Sequence, residues 1–521
     1  MPIIRGRPIV NVGHIATSAR PCTRVALTPN RVSAGLPRCI SVDLTNKTKK
    51  ERVVVLGSGW AGYGFARDLD PKKYERVMIS PRSYFVFTPL LAGTSVGTLE
   101  FRATIESTRR LELDDFHQGW ADDIDFSKKV IRVEANTSGD LASRTRLPSG
   151  DSSAIQKKKG EIFEVPYDKL VIAVGSYSQT FGIEGVREYA NFLRDVSDAR
   201  NIRLKVLQCF EKAALPTTTD EERKKLLHFA VVGGGPTGIE FAAELHDLIN
   251  EDLVKLYPDI IKFSAITVYD VAPKVLPMFD QTLANYAMDL FRREGIQVKT
   301  KHHLTRIRPD TETEGCLKLK IQEYGNEEVD AGIVVWSTGL MQNPLVQKLA
   351  DKVFPPNSAV TGVAKAATEV QIQKEPKSGS ILTDKHLRVR VVSTESKDGK
   401  SISGKSILPD VYAIGDCAVI HNQALPATAQ VASQKATYLA KRLNKEDVFA
   451  PGFKFRNWGT MTYLGNWKAI HQSEADDLKG WAAWVLWRTA YLTKSMSIRN
   501  KIMVPVYWCM SWLFGRDISR F

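Results

Sequence analysis

Two glycine-rich turns, Gly57-Ser58-Gly59-Trp60-Ala61-Gly62 and Gly233-Gly234-Gly235-Pro236-Thr237-Gly238, stand far apart in the chain, and each follows a short apolar run. The runs are Arg52-Val53-Val54-Val55-Leu56 and His228-Phe229-Ala230-Val231-Val232, and a plausible helix follows each turn. In a strand-turn-helix unit of this kind the first glycine permits the tight bend, the second lets the backbone approach a pyrophosphate, and the third lets helix and strand pack closely. The start of the helix adds unpaired N–H groups and the positive end of its dipole. One chain with two such units is expected to hold two dinucleotides. The plain alternative is a pair of glycine-rich turns in an ordinary α/β sheet.

A third segment, Asp410-Val411-Tyr412-Ala413-Ile414-Gly415-Asp416, reads as a strand ending in Gly-Asp. Alone it would be a strand followed by an aspartate helix cap. After two upstream fingerprints it resembles the second flavin motif of the two-dinucleotide-binding-domain flavoproteins, in which the final aspartate, here Asp416, binds the ribitol of FAD. The strands ending at Gly175 and at Thr338-Gly339 resemble the segments that close each domain beside its cofactor in that family.

The run from Ile79 to Leu91, the run from Gly233 to Glu240, and Ala429-Gln430-Val431-Ala432-Ser433-Gln434 together resemble the type II (alternative, non-electrogenic) NADH:quinone oxidoreductases of mitochondria. The likeness covers nearly everything after residue 50. It implies an α/β fold with two Rossmann-like domains in a glutathione-reductase-like arrangement, followed by a C-terminal helical membrane-surface segment. Non-covalent FAD is expected on Gly57, Gly59, Trp60, Ala61, Gly62, Ser80, Arg82, Thr88, Pro89, Gly175 and Asp416. NADH, as substrate, is expected on Gly233, Gly235, Pro236, Thr237, Gly238, Glu240, Asp270, Thr338 and Gly339. The resemblance gives Glu240 a catalytic place near the nicotinamide and sets Gln430 and Gln434 toward a ubiquinone. A first-turn glutamate serving helix N–H groups and a solvated amide pair at i, i+4 are the plainer readings of the same residues.

Asp270 ends the run Ile266-Thr267-Val268-Tyr269, where a carboxylate accepts hydrogen bonds from an adenosine ribose and repels a 2′-phosphate, favouring NADH over NADPH. The interval from the glycines exceeds the usual distance of about 20 residues because the stretch from Asn250 to Ile261 lengthens the helix region. A strand-end cap is the alternative for Asp270. The first unit has Ser80 where a carboxylate would stand; the resemblance implies that its hydroxyl serves the ribose there and that Arg82 serves the adenine side.

At 521 residues the chain has room for two to four domains. Its expected organisation is a leader over residues 1–50, FAD domain over 51–224 and again over 346–450 with an inserted loop, NADH domain over 225–345, and C-terminal segment over 451–521. Two stretches, 138–160 and 393–405, read as solvated linkers.

The net charge of +14 is carried at the two ends. Residues 1–50 hold six Arg and three Lys against Asp43, and residues 453–521 hold ten basic side chains against four acidic ones, leaving the middle neutral. No basic groove for nucleic acid is expected there. The Arg-rich, Ser-bearing, acid-poor start resembles a mitochondrial transit peptide, with a basic disordered tail as the alternative.

Seven of the ten tryptophans lie after residue 457, and no apolar run reaches the 18 to 20 or so residues of a spanning helix. Trp481, Trp484, Val485, Arg488, Tyr491 and Leu492 fall at helical spacing, followed by Lys494, Arg499 and Lys501. Aromatics with cations suit the headgroup boundary, so a peripheral anchor on the inner-membrane surface is expected, and a homodimer interface also fits. The six cysteines form no CxxC pair, and no metal motif stands out. A sulfide:quinone oxidoreductase, which needs redox cysteines near the flavin, and a cell-death-factor-like signalling flavoprotein are the competing readings.

Overall fold

The computed structural model describes residues 40–41, 50–136, 160–355, 369–393, 406–447 and 451–519, except 475 and 496, within one compact unit that begins at Ile40. Nearly all of the expected leader and most of both linkers lie outside these residues.

The β-branched run Glu51–Leu56 forms the central strand of the first domain, with Val53 to Leu56 buried. It pairs in parallel with Tyr74–Ser80 on one side and Lys169–Ile172 on the other. Asp115–Asp125 extends the sheet beyond Tyr74–Ser80. On the far side Ser406–Ala413 returns after the whole second domain to pair Val411, Tyr412 and Ala413 with Leu170, Val171 and Ile172, and Arg388–Ser393 continues the sheet beyond it. A strand buried on both faces reads as a continuous apolar run, which is why this sheet was legible in sequence. Helices Trp60–Asp68 and Ala429–Lys445 lie against each other over one face. The second of these helices starts at Ala429, where Thr428 Oγ1 caps it by accepting from the Val431 N–H.

The second domain has its own five-stranded parallel sheet, in the order Asn191–Phe192, Ile333–Trp336, His228–Val232, Ala265–Asp270 and Gln297–Thr300. Helix Val196–Ala214 packs on it through Phe210, whose ring stacks on Phe229 at 6.0 Å. Residues 191–214 therefore build the second sheet and its cover, ahead of the boundary expected at 224. The helix after the second fingerprint, Pro236–Leu248, continues into a π-helical turn, Ile249–Leu253, and a short helix, Val254–Leu256. That is the extension expected between Asn250 and Ile261.

The C-terminal segment has the expected helices and adds a small sheet ahead of them. It opens with three antiparallel strands, Thr460–Gly465, Lys468–Gln472 and Asp477–Gly480, before helices Trp481–Lys494 and Ile498–Phe514. The first turn places Asn466 and Trp467 at φ 46° and 59°, the left-handed geometry of a tight hairpin. Strand Thr460–Gly465 packs on helix Pro236–Leu248, and Tyr463, Leu464, Ala469 and Ile470 join the core of the second domain. No helix among the described residues is long and apolar enough to cross a membrane.

Candidate active site

Both fingerprints form open-faced cradles. Gly57 (φ 104°) and Gly233 (φ 115°) make the left-handed turns after their strands. A Cβ on Gly62 or Gly238 would strike the carbonyl of Gly57 or Gly233, so helix and strand touch there. Gly59 and Gly235, by contrast, have nothing within 4 Å of where a Cβ would stand. Each helix thus begins over free space at the middle glycine, with its first N–H groups available for a phosphate. The residues present fit a dinucleotide in each cradle.

Around the first cradle, the Trp60 indole N–H donates to Thr88 Oγ1 (3.0 Å), and Trp60 meets Phe85 edge-on. That fixes Thr88-Pro89 beside the start of helix Trp60–Asp68, while Ala61 is buried beneath it. Ser80 is not placed as expected for ribose binding: its hydroxyl is buried and donates to Ser58 Oγ, which donates to the Tyr84 carbonyl. Ser80 braces the glycine turn instead. Arg82 pairs with Asp195, which also accepts from Tyr84 Oη at 2.9 Å. Burial works against the Arg82 charge, but Asp195 outweighs it and holds the guanidinium above its ordinary pKa.

Beyond Arg82 lies a residue that sequence reading missed. Arg194 Nη2 donates to Ser176 Oγ (3.3 Å), which donates to Asp416 Oδ2 (3.3 Å), close to the left-handed turns at Gly175 and Gly415. The other terminal nitrogen, Nη1, is shut off from solvent and has no partner among the described residues. Burial lowers the Arg194 pKa, with Asp416 opposing and Arg82 adding to the shift. A buried cationic donor between Arg82 and Asp416 fits an anionic group spanning from the adenosine end of FAD to its ribitol. It was missed because it sits in an unremarkable Leu-Arg-Asp run.

In the second cradle Asp270 is spent on the backbone: Oδ2 accepts from the Gly234 N–H and Oδ1 from the Ala272 N–H. It pins the glycine turn, and a carboxylate retains lone pairs for a ribose beside it. Pro236 and Thr237 open the helix, and Ser337 Oγ donates to the Val232 and Gly233 carbonyls, seating Thr338 and Gly339 (φ 72°) against the turn.

Glu240 sits one turn into helix Pro236–Leu248, and its partner is not its own helix end. Its Oε1 accepts from the Tyr463 N–H (3.2 Å) of the C-terminal sheet. It faces a small cavity shared with Pro89, Thr98, Glu244 and Trp487. Burial pushes its carboxyl up to about 8, with the Tyr463 N–H pulling the other way. A carboxyl with that pKa exchanges protons near neutrality, as a general acid or base must.

Gln430 and Gln434 are clamped to the chain after helix Ala429–Lys445. Gln434 Nε2 donates to the Arg456 carbonyl (2.8 Å) and its Oε1 accepts from the Arg456 N–H (3.0 Å); Gln430 bonds Gly459 O and Trp458 N, both at 3.4 Å. Each bond set uses one of two amide donors, so a structural tie accompanies whatever the second donor meets.

The family model for pyridine nucleotide-disulphide oxidoreductases matches residues 51–436, and that for the NDH2 C-terminal domain matches 458–517. The chain belongs to the pyridine nucleotide-disulphide oxidoreductases. A probable NADH dehydrogenase of Dictyostelium discoideum is 37% identical over 91% of this chain and 92% of its own. An internal alternative NAD(P)H-ubiquinone oxidoreductase A1 of Solanum tuberosum mitochondria is 34% identical over 92% and 90%. The solved NDH2 of Plasmodium falciparum in complex with NADH superposes at TM-score 0.73, with 26% identity, over 90% of this chain and all of that one.

This pyridine nucleotide-disulphide oxidoreductase carries no dithiol at its first cradle among the described residues. Cys417, next to Asp416, is fully buried, its thiol facing the Ile172 and Ile414 carbonyls and pushed up to about 11 by burial. Cys209, Cys316 and Cys509 lie on the second domain and the last helix.

Three of the four expected headgroup cations in this family member have other work. The Arg488 guanidinium stacks between Trp484 (4.8 Å) and Trp508 (4.0 Å), and the Lys494 ammonium lies 3.6 Å from the centre of the Trp458 ring. Arg499 donates to the Arg102 and Ile105 carbonyls, which leaves Lys501 exposed at the surface.

Proposed function

We propose that this chain is an FAD-dependent oxidoreductase that passes electrons from NADH to ubiquinone, without proton pumping, at the mitochondrial inner membrane. The observation that carries the reading is the pair of open-faced glycine cradles on two parallel sheets, the second nested inside the first, with Glu240 where the two domains and the C-terminal sheet meet. The mitochondrial NAD(P)H-ubiquinone relatives support the donor, the acceptor and the compartment. When bound, FAD supplies two-electron transfer between a nicotinamide and a quinone. The chain's share is to hold the two ligands, exclude water and manage protons. Gly57, Gly59, Trp60, Ala61, Gly62, Arg82, Thr88, Pro89, Gly175 and Asp416 hold FAD, with Arg194 added on its anionic middle. Gly233, Gly235, Pro236, Thr237, Gly238, Asp270, Thr338 and Gly339 hold NADH. Glu240 handles the proton, and the second donors of Gln430 and Gln434 are offered to the quinone.

Anaerobic titration tests the function. NADH bleaches the flavin absorbance, and a short-chain ubiquinone restores it. Bleaching by sulfide instead of NADH, or a colourless protein, would overturn the assignment.

We place the membrane face, and with it a homodimer interface, on the last two helices. Ile498, Ile502, Val506, Met510, Leu513 and Phe514 are exposed along helix Ile498–Phe514, mostly at i, i+4 spacing, and Trp481 is exposed on the helix before it. The peripheral anchor comes from this apolar stripe rather than from stacked cations. Ile502→Asp together with Met510→Asp is expected to abolish co-sedimentation with anionic vesicles while leaving the protein yellow. Unchanged sedimentation would move the anchor elsewhere, and a change confined to subunit mass would assign the stripe to the dimer.

A further inference from the structure

Oxidation of NADH by a quinone balances as NADH + H⁺ + quinone → NAD⁺ + quinol. One quinol hydrogen is accounted for by the hydride equivalent, and the other is a proton drawn from solvent. The reacting centre of an enzyme that excludes water therefore needs a proton path.

We propose that Glu244 is the relay partner of Glu240, the two carboxyls sharing one proton across the cavity between them and receiving it from the Thr98 side. This rests on the proton-handling reading of Glu240. The two residues are one turn apart on helix Pro236–Leu248, hence on one face. Both are buried, and both line the same cavity with Gly93 and Thr98. A Cβ on Gly93 would stand 3.0 Å from Glu244 Oε1, so the backbone there closes directly onto the carboxyl. Thr98 Oγ1 donates to Glu244 Oε2 (2.8 Å) and accepts from Arg516 Nε (3.0 Å). Arg516 in turn holds Glu251 (2.6 Å), a half-exposed carboxylate at the rim. Arg516 keeps its own proton, so the Thr98 hydroxyl passes its proton to Glu244 as solvent supplies another to the second lone pair of Oγ1.

The charged and titratable groups that face Glu244 come from four elements. Glu240 and Asp247 share its helix, Arg488 projects from helix Trp481–Lys494, Tyr463 from the C-terminal sheet, and Arg516 from the tail. Burial raises the Glu244 pKa; Arg516 opposes that, Asp247 adds to it, and Thr98 and Arg488 oppose it more weakly. Glu244 likewise adds to the rise at Glu240. Two interacting acids of this kind titrate as a pair.

The sign of the test follows from removing one of them. Glu244→Gln keeps an acceptor for Thr98 but takes away the neighbouring negative charge, so Glu240 loses its proton at lower pH. In the FAD-loaded full chain, the Glu240 carboxyl C=O band in an infrared pH titration is expected to fall about one pH unit lower, a tenfold change in proton affinity. The alkaline limb of ubiquinone reduction moves with it. Glu240→Gln is expected to abolish both the band and the limb. Should Glu244→Gln fail to fold, Thr98→Val, nearly isosteric and lacking the hydroxyl, is expected to raise the solvent isotope effect on quinone reduction. Band and limb superposing on the wild type in Glu244→Gln, or an unchanged isotope effect in Thr98→Val, overturns the relay. A wild-type limb in Glu240→Gln instead removes the reading of Glu240 itself.

Discussion

Gly238→Ala is expected to weaken reduction of the protein by NADH while leaving it folded and yellow. The added Cβ would strike the Gly233 carbonyl oxygen, a backbone atom, and stand 2.5 Å from Ser337 Oγ. Helix Pro236–Leu248 must then lift away from its strand, carrying its first N–H groups off the phosphate position. Overpacking of this kind costs about 1–3 kcal/mol, and every 1.4 kcal/mol or so is a factor of ten in affinity. The KM for NADH should rise roughly tenfold to a hundredfold by that scale, measured by stopped-flow bleaching with FAD content as the control. A KM within a few-fold of the wild type would show that NADH does not use this turn.

The second large effect is expected at Arg488. Its guanidinium faces Glu244 and Asp247 and is sandwiched by Trp484 and Trp508. Burial lowers its pKa to about 10, which still leaves it charged at neutral pH. Arg488→Ala empties the tryptophan stack and leaves Glu244 facing Arg516 alone, with His246 still beside Asp247, a loss of about 2–3 kcal/mol. The thermal midpoint should drop by roughly 5–10 °C. Arg488→Lys should recover little, because an ammonium lacks the planar stack. Adding Glu244→Gln to Arg488→Ala should recover part of the midpoint, since removing both partners is milder than removing one. An Arg488→Ala protein as stable as the wild type would show the cluster to be energetically idle.

These two positions also mark what was legible in sequence. Gly238 belongs to a local pattern: a turn, a close approach and a helix start all fall within six residues, so the pattern carries its own meaning. The parallel strands were legible for the same reason, each being a short apolar run buried on both faces. Arg488 is non-local. Its partners lie some 240 residues earlier on a helix of another domain, and aromatic-cation spacing on one helix reads equally as a headgroup belt. The strands between Thr460 and Gly480 were hidden by polar, lysine-bearing stretches, and their one local signal, Gly465-Asn466, was overshadowed by the tryptophans. Ser80 and Asp270 show the reverse case. Both stand at the expected strand ends and their side chains also brace the glycine turns, which position alone does not reveal; Asp270 keeps lone pairs for a ribose, whereas the Ser80 hydroxyl is turned inward to Ser58.

The segment after residue 451 first grips the helix that follows the returning FAD-domain strand, through Gln434 and Gln430, and then, through Tyr463 and its neighbours, the helix of the second fingerprint. One stretch of about ten residues therefore straps the two dinucleotide domains to each other. Bonds to both helices from one short stretch restrain the two dinucleotide seats against hinge motion. The same strap makes the hydride distance hostage to the far end of the polypeptide.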